Sequence, residues 1–360
     1  MRNIKSTIVL VLVAIFSFTS LQVKAEGHGK GDFNASEFIL HHVMDAHEWH
    51  LVGDNHVGLP IILLDQGLVS FSSSAFNVPV SVEQGDYAVT QDGKYAIFHE
   101  KIYKTSNGEL NFDSSGHPTN EMPLDFSITR NVASMLLSAV LLLLIFGSSA
   151  RAYKKRGVES APKKLQSWME PLVLFVRDEI AKPNINEHKY QRYMPYLLTA
   201  FFFIWINNLL GLIPFFPGGS NLTGNIAFTM VMAVLTLIIT NFSGNKNYWG
   251  HIFNPLGSSM PWAAKVPLYI ILLPIEVAGI FIKSVALMIR LFANITAGHI
   301  VILAFTSIIF IKQSAGWSGL SVPMSLFISV LELLVAFLQA FIFTMLSALF
   351  IGSAVDEAHH

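Results

Sequence analysis

Apolar residues along this chain fall into long runs separated by short polar stretches, and those runs predict most of its elements. Five of them, residues 131–149, 194–216, 222–242, 263–311 and 321–351, are long enough to cross a bilayer as helices. The fourth is unusual. As one helix its roughly fifty residues would reach about 75 Å at 1.5 Å per residue, far beyond a ~30 Å hydrocarbon core, so it either breaks or lies steeply tilted.

Two of the runs carry polar seams. Glu276, Lys283 and Arg290 recur every seven residues, and Asn294 follows four later, which sets all four on one helical stripe. His299 is nine residues from Arg290, half a turn out of phase; it belongs to another face, or to another helix broken near Gly298. Downstream, Ser325, Glu332 and Gln339 again recur every seven residues. Lys283 and Glu276 can be read as side chains that snorkel to the headgroups. Arg290 and Glu332 have apolar runs on both sides, where a charge costs roughly 2.5 to 3.5 kcal/mol and faces a bundle interior, a partner or a water path. The seams therefore point to an ion path.

The first part of the chain reads differently. Residues 1–25 combine Arg2 and Lys5 with an apolar run and Val23-Lys24-Ala25, the pattern of a signal peptide cleaved after Ala25, with an uncleaved anchor as the alternative. Residues 26–127 lack a spanning run and predict a small, partly β domain outside the membrane, and the membrane domain is set at 128–360. Alternation over residues 94–113 places a hairpin around Ser106-Asn107-Gly108. A cluster of His41, His42, His47, His50 and His56 is interleaved with Asp45, Glu48 and Asp54. On a helix, His47 and His50 would have metal-ligand spacing, but the string lacks the HExxH order. A solvated helix, or groups that buffer protons near a channel mouth, accounts for it equally; no metal or other cofactor is assigned.

Charge orients the spans. Residues 151–192 carry ten Lys and Arg against five acids, which places that loop in the cytoplasm, the N-terminal domain outside it and the C-terminus inside. Within the loop, residues 165–181 predict an amphipathic helix along the membrane face. Composition agrees: hydrophobic residues make up 52%, charged residues 13%, and mean hydropathy is +0.51. A net charge of −1 argues against nucleic acid, and the absence of cysteine removes disulfides and thiol catalysis. The fold class is an all-α polytopic membrane domain of about five crossings with long tilted helices, one surface helix and a small N-terminal β domain.

Three separated motifs carry a resemblance: Arg290-Leu291-Phe292-Ala293-Asn294 with Ala297-Gly298, Leu338-Gln339-Ala340-Phe341-Ile342-Phe343, and Asn208-Leu209-Leu210-Gly211-Leu212-Ile213-Pro214. From about residue 129 onwards the chain resembles subunit a of the F-type ATP synthases, the stator channel of the membrane motor. The resemblance implies a non-catalytic proton-conducting subunit in a cell inner membrane. Its partners would be a c-ring rotor, subunit b of a peripheral stalk and the lipid bilayer. Arg290 would be a fixed charge facing a rotor carboxylate, since a guanidinium does not release its proton. Asn294, His299, Glu332 and Gln339 would line half-channels, with Glu276 and Lys283 as weaker candidates. Many bacterial relatives carry a carboxylate where His299 stands and a His where Glu332 stands; the exchange implies that the two are close in space. Ala293 replaces a common glycine. No GxxxxGK[ST] phosphate loop is present. A secondary transporter, or a hydrolase using the outer histidines, would be the rival classes; neither would need a rotor.

Overall fold

The structure, a computed structural model, describes residues 44–52, 55–82, 85–157, 161–163, 165–213, 217–254, 262–312 and 315–355. The signal-peptide pattern, His41, His42, Asp54 and Pro214 lie outside the described residues.

Among the described residues, nine short strands build the N-terminal region. β1 (Glu48–Val52) and β2 (Asn55–Gly58) form a hairpin; β3 (Pro60–Leu64) lies between β4 (Leu68–Ser72) and β9 (Leu124–Asp125). β5 (Phe76–Val82), β6 (Gly85–Thr90), β7 (Tyr95–Phe98) and β8 (Lys101–Lys104) form an antiparallel meander. Alternation sets the inner faces. In β3, Ile61 and Leu63 are fully buried and join Tyr95 and Ile102 in one cluster. Tyr87, Val89, Ala96, Phe98, Tyr103 and Leu110 form a second cluster.

Two local expectations fail here. Glu48–Val52 is a strand, so His47 and His50 do not share a helical face, and His50 instead pairs with His56 across β1 and β2. The hairpin turn is not Ser106-Asn107-Gly108. Phe98 stands opposite Lys101, so the chain reverses at His99-Glu100, where φ is +47° and +59°. Two positive φ values suit a two-residue turn whose twist matches its strands, although Asn-Gly normally fills it. A distant contact overrides that preference: the Glu100 carboxylate accepts from the backbone N–H of His47, and Nδ1 of the same residue also lies 3.0 Å from it.

Among the described residues, five helices are long and apolar enough to cross a membrane. They are α1 (Arg130–Arg156), α3 (Tyr190–Leu212), α4 (Ile226–Ser243), α6 (Trp262–Ile311) and α7 (Ser318–Val355). Between them lie α2 (Leu165–Phe175) and the short α5 (Lys246–Phe253). α2 continues into one π-helical turn, Val176–Ala181. That segment is two-sided: Val176 and Ile180 are fully buried, whereas Trp168 is 79% exposed. Phe175 anchors it, its ring tilted against those of Phe201 of α3 and Phe337 and Phe341 of α7.

The long fourth run does not break. α6 is one helix of 50 residues with Pro267 and Pro274 in its first third, and it continues through Gly298. His299 therefore lies on the opposite side of the same helix from Arg290. α7 packs against both α6 and α3, and α4 packs against α6. The membrane core follows from this arrangement, with Phe201, Phe202, Leu197, Leu287, Leu291, Phe343 and Ile351 buried at the crossings.

Candidate functional site

Burial divides the polar seam of α6 into two roles. Leu287, Leu291 and Ile295 turn inward, and Lys283, Arg290 and Asn294 on the other side are exposed, as is Ala297. Glu276 is half-buried. Among the described residues Arg290 has no ion-pair partner, so this chain carries an uncompensated guanidinium on the open face of an apolar helix.

His299 and Glu332 meet inside. Glu332 is 3% exposed, and its Oε1 is hydrogen-bonded to Nδ1 of His299. The sequence implied this proximity, and helix geometry produces it: α6 and α7 cross where α6 carries Gly298. A side chain there would bring its Cβ to 2.9 Å from Glu332 Oε1. Gln339 is buried two turns further along α7, on the same side as Glu332.

A narrow pocket surrounds the pair, walled by Asn207, Asn208 and Gly211 of α3 and by Ser220, Asn221 and Thr223 of the loop before α4. Asn208 fixes two walls. Its Nδ2 donates to Ala336 O of α7 at 3.0 Å, and its Oδ1 accepts from Thr223 Oγ1 at 2.6 Å. Three buried atoms in the lining, Asn207 Oδ1, Asn221 Nδ2 and Glu332 Oε2, have no hydrogen-bond partner among the described residues. Buried polar atoms are normally paired, so an unpaired cluster marks a place suited to water or a transferable proton.

A second polar pocket lies towards the opposite end of the bundle. Thr236 and Thr240 of α4, Tyr248 of α5, Lys283 and Ser284 of α6, and Ser353 of α7 line it. Lys283 Nζ stands 5.7 Å from the Phe350 ring, a cation–π distance. Hydroxyls extend inward from it: Thr236 Oγ1 lies 2.6 Å from Tyr196 OH and 3.3 Å from Ser347 Oγ. Along α6, Arg290 falls between the pockets, about 13 Å from the level of His299 and about 10 Å from that of Lys283 at 1.5 Å per residue.

Sequence reasoning missed most of the walls. Asn207 and Asn208 form a polar pair inside an apolar span, and Thr236 and Thr240 share a helical face at i, i+4; both signals were present. Ser220 and Asn221 sit in a turn, where polar residues are ordinary. His47 and His50 do not share a helical face, and among the described residues no group of three His, Cys, Asp or Glu is placed to hold a metal.

Fold and site together define a polytopic membrane protein that sets the exposed Arg290 between two polar pockets. The family is settled by sequence: the chain belongs to the ATP synthase A chain family, whose model matches residues 132–352. It is 48% identical over 240 residues to ATP synthase subunit a 2 of Chlorobaculum tepidum, covering 65% of each chain. It is 50% identical over 242 residues to ATP synthase subunit a of Chlorobium phaeobacteroides, covering 65% of this chain and 68% of that one. A protein of Prosthecochloris aestuarii named ATP synthase subunit a 2 is 41% identical over 316 residues, 84% of this chain and 92% of its own. Residues 38–126 match a separate domain family of unknown function.

Proposed function

We propose that this chain is the proton-translocating stator subunit of the membrane sector of an F-type ATP synthase. The observation that carries the reading is Arg290, exposed and unpaired on α6 between two polar pockets. A desolvated guanidinium needs a partner charge. A carboxylate on each subunit of a rotating c-ring supplies it, passing along the face that also bears Asn294. Arginine stays charged at any working pH, so Arg290 stabilises the ionised rotor carboxylate, drives its proton off and blocks direct leakage between the pockets.

The pocket around His299 and Glu332 is the outer half-channel in this reading, and the one around Lys283 is the inner half-channel. Glu332 and His299 exchange the proton, while Gln339 and Asn294 orient it on its way to the rotor. Glu276 lies one heptad before Lys283 and extends the inner path. The subunit does no chemistry on ATP itself. Its partners are the c-ring, the peripheral stalk with subunit b, and the lipid of a cell inner membrane. The β domain, released from a signal peptide, stands on the outer side, and the C-terminus is cytoplasmic.

ATP-driven acidification of inverted membrane vesicles tests this. Arg290→Gln, compared with the parent at equal amounts of assembled complex, is expected to lose pumping. Undiminished pumping would overturn the assignment.

A further inference from the structure

The β domain does not merely precede the membrane helices; its first residues are bonded into the wall of the pocket. Trp49, 7% exposed at the start of β1, donates its indole N–H to Gly218 O at 2.9 Å in the loop between α3 and α4. Two residues on, Ser220 lines the pocket and donates to Asn131 Oδ1 at 2.7 Å, in a bond buried from solvent. Asn131 is in turn fixed by the same N-terminal segment: its N–H donates to Asp45 Oδ1 at 3.0 Å. The preceding amide, Arg130 N–H, donates to Ala46 O at 2.8 Å, and Arg130 Nη2 donates to Met44 O at 2.7 Å. Residues 44–49 thus hold both ends of the Ser220–Asn131 contact.

On its inner side the loop has little latitude. Gly218 and Gly211 pack where a Cβ would lie 2.4 Å from Ile213 O and 3.0 Å from Ser220 O respectively, and Gly219 N–H donates to Leu210 O at 3.3 Å. The loop is therefore clamped between α3 and the β domain, and its position sets where Ser220 and Asn221 stand relative to His299 and Glu332. A hydroxyl displaced by an ångström no longer aligns with a proton path.

We propose that the β domain is built into the mouth of the outer half-channel, with Trp49 and Asp45 as positioning residues that hold Ser220 at its entrance. This rests on the proton path proposed above. It gives residues 38–126 a task in the membrane sector, namely setting the rate at which protons enter from the outer side.

The test uses the complete complex in inverted vesicles, whose lumen faces the β domain. After the catalytic sector is stripped, a potassium diffusion potential drives protons through the membrane sector while luminal and medium pH are varied separately. Trp49→Phe keeps an aromatic six-membered ring and removes the N–H with the pyrrole part of the indole. It is expected to lower proton flux about tenfold, the scale of one lost buried hydrogen bond, and to shift the luminal pH dependence by about one unit while leaving the medium pH dependence in place. Asp45→Ala is expected to act likewise, and Asp45→Asn, which keeps the accepting oxygen, to restore the parent behaviour. Parent-like flux in Trp49→Phe and Asp45→Ala, or a loss that is equal on both sides and not reversed by Asp45→Asn, would overturn the proposal. Glu332→Gln separates the two levels: if it conducts like the parent, the proton path itself fails; if it is blocked while the Trp49 and Asp45 variants are normal, only the positioning role fails.

Discussion

At the scale of single residues, the pairing of His299 with Glu332 carries the most specific expectation. Glu332 is nearly inaccessible and spends one oxygen on His299, leaving Oε2 as the acceptor that a moving proton would use. Glu332→Gln preserves shape and hydrogen bonding to the ring but cannot take up a proton. ATP-driven acidification is expected to fall by roughly a hundredfold or more, the range in which removal of a positioned proton acceptor acts. Exchanging both groups, His299→Glu with Glu332→His, keeps one imidazole and one carboxylate in contact and is expected to recover a large part of the flux. If the double exchange stays as inactive as the single variant, the pair is tied to its present order by surroundings beyond the two side chains.

At the scale of elements, two glycines separate function from stability. A Cβ on Gly298 would meet Glu332 Oε1 at 2.9 Å and Cδ at 3.2 Å, the end of a side chain that can turn aside. Gly298→Ala also gains about 1 kcal/mol of helix propensity, which offsets crowding of similar size. Subunit amount and thermal inactivation should therefore stay close to the parent, while proton flux drops because the carboxylate is pushed off His299. A Cβ on Gly352 would instead fall 1.8 Å from the backbone carbonyl of Asn184, which cannot turn aside. Gly352→Ala is expected to cost about 1 to 3 kcal/mol or more and to show as early thermal inactivation of the complex. What the sequence revealed at this scale follows the same division. Long apolar periodicity located all five spans, with the end of the first seven residues short of Arg156, and heptad spacing put Arg290 and Asn294 on one stripe and Glu332 with Gln339 on another, the first exposed and the second buried. Periodicity says nothing of which helices cross, so Asn207, Asn208 and Thr223 became visible as pocket walls only once α3, α6 and α7 were brought together. The turn at His99-Glu100 escaped for a similar reason: Glu100 is held by His47, 53 residues away.

At the scale of the whole molecule, the joint between the β domain and the helices has a built-in response to pH. His47 sits in the segment that caps α1, with its ring 3.0 Å from Glu100 Oε2 and 3.8 Å from Asp125 Oδ2. Asp45 and Arg130 complete the charges around it. Burial alone would pull the imidazole pKa down, but the nearby Asp125 carboxylate and the hydrogen-bonded Glu100 carboxylate outweigh it and raise the value to about 9 from 6.5. The sign follows from linkage. A group that binds its proton more tightly in the folded joint stabilises it fully below pH 6.5, and that contribution fades as pH climbs through about 9. Burial would raise the Asp125 carboxyl, but His47 and the hydrogen bonds from Ser127 hold it below the usual carboxylate range, so the change in this window is assigned to His47. Hydrogen exchange across residues 44–49, corrected for the intrinsic pH dependence of amide exchange, should show protection that declines between pH 6.5 and 9. In His47→Gln, protection over the same residues should be lower at pH 6.5 and nearly level across the range. A parent protein whose protection is level, or a variant that keeps the parent's slope, would remove His47 from the joint's energetics and leave Trp49 and Asp45 as its fastening. With the predicted slope, entry of protons at the outer mouth becomes sensitive to the acidity of the side from which they come, because the same six residues hold His47 at one end and the Gly218 loop at the other.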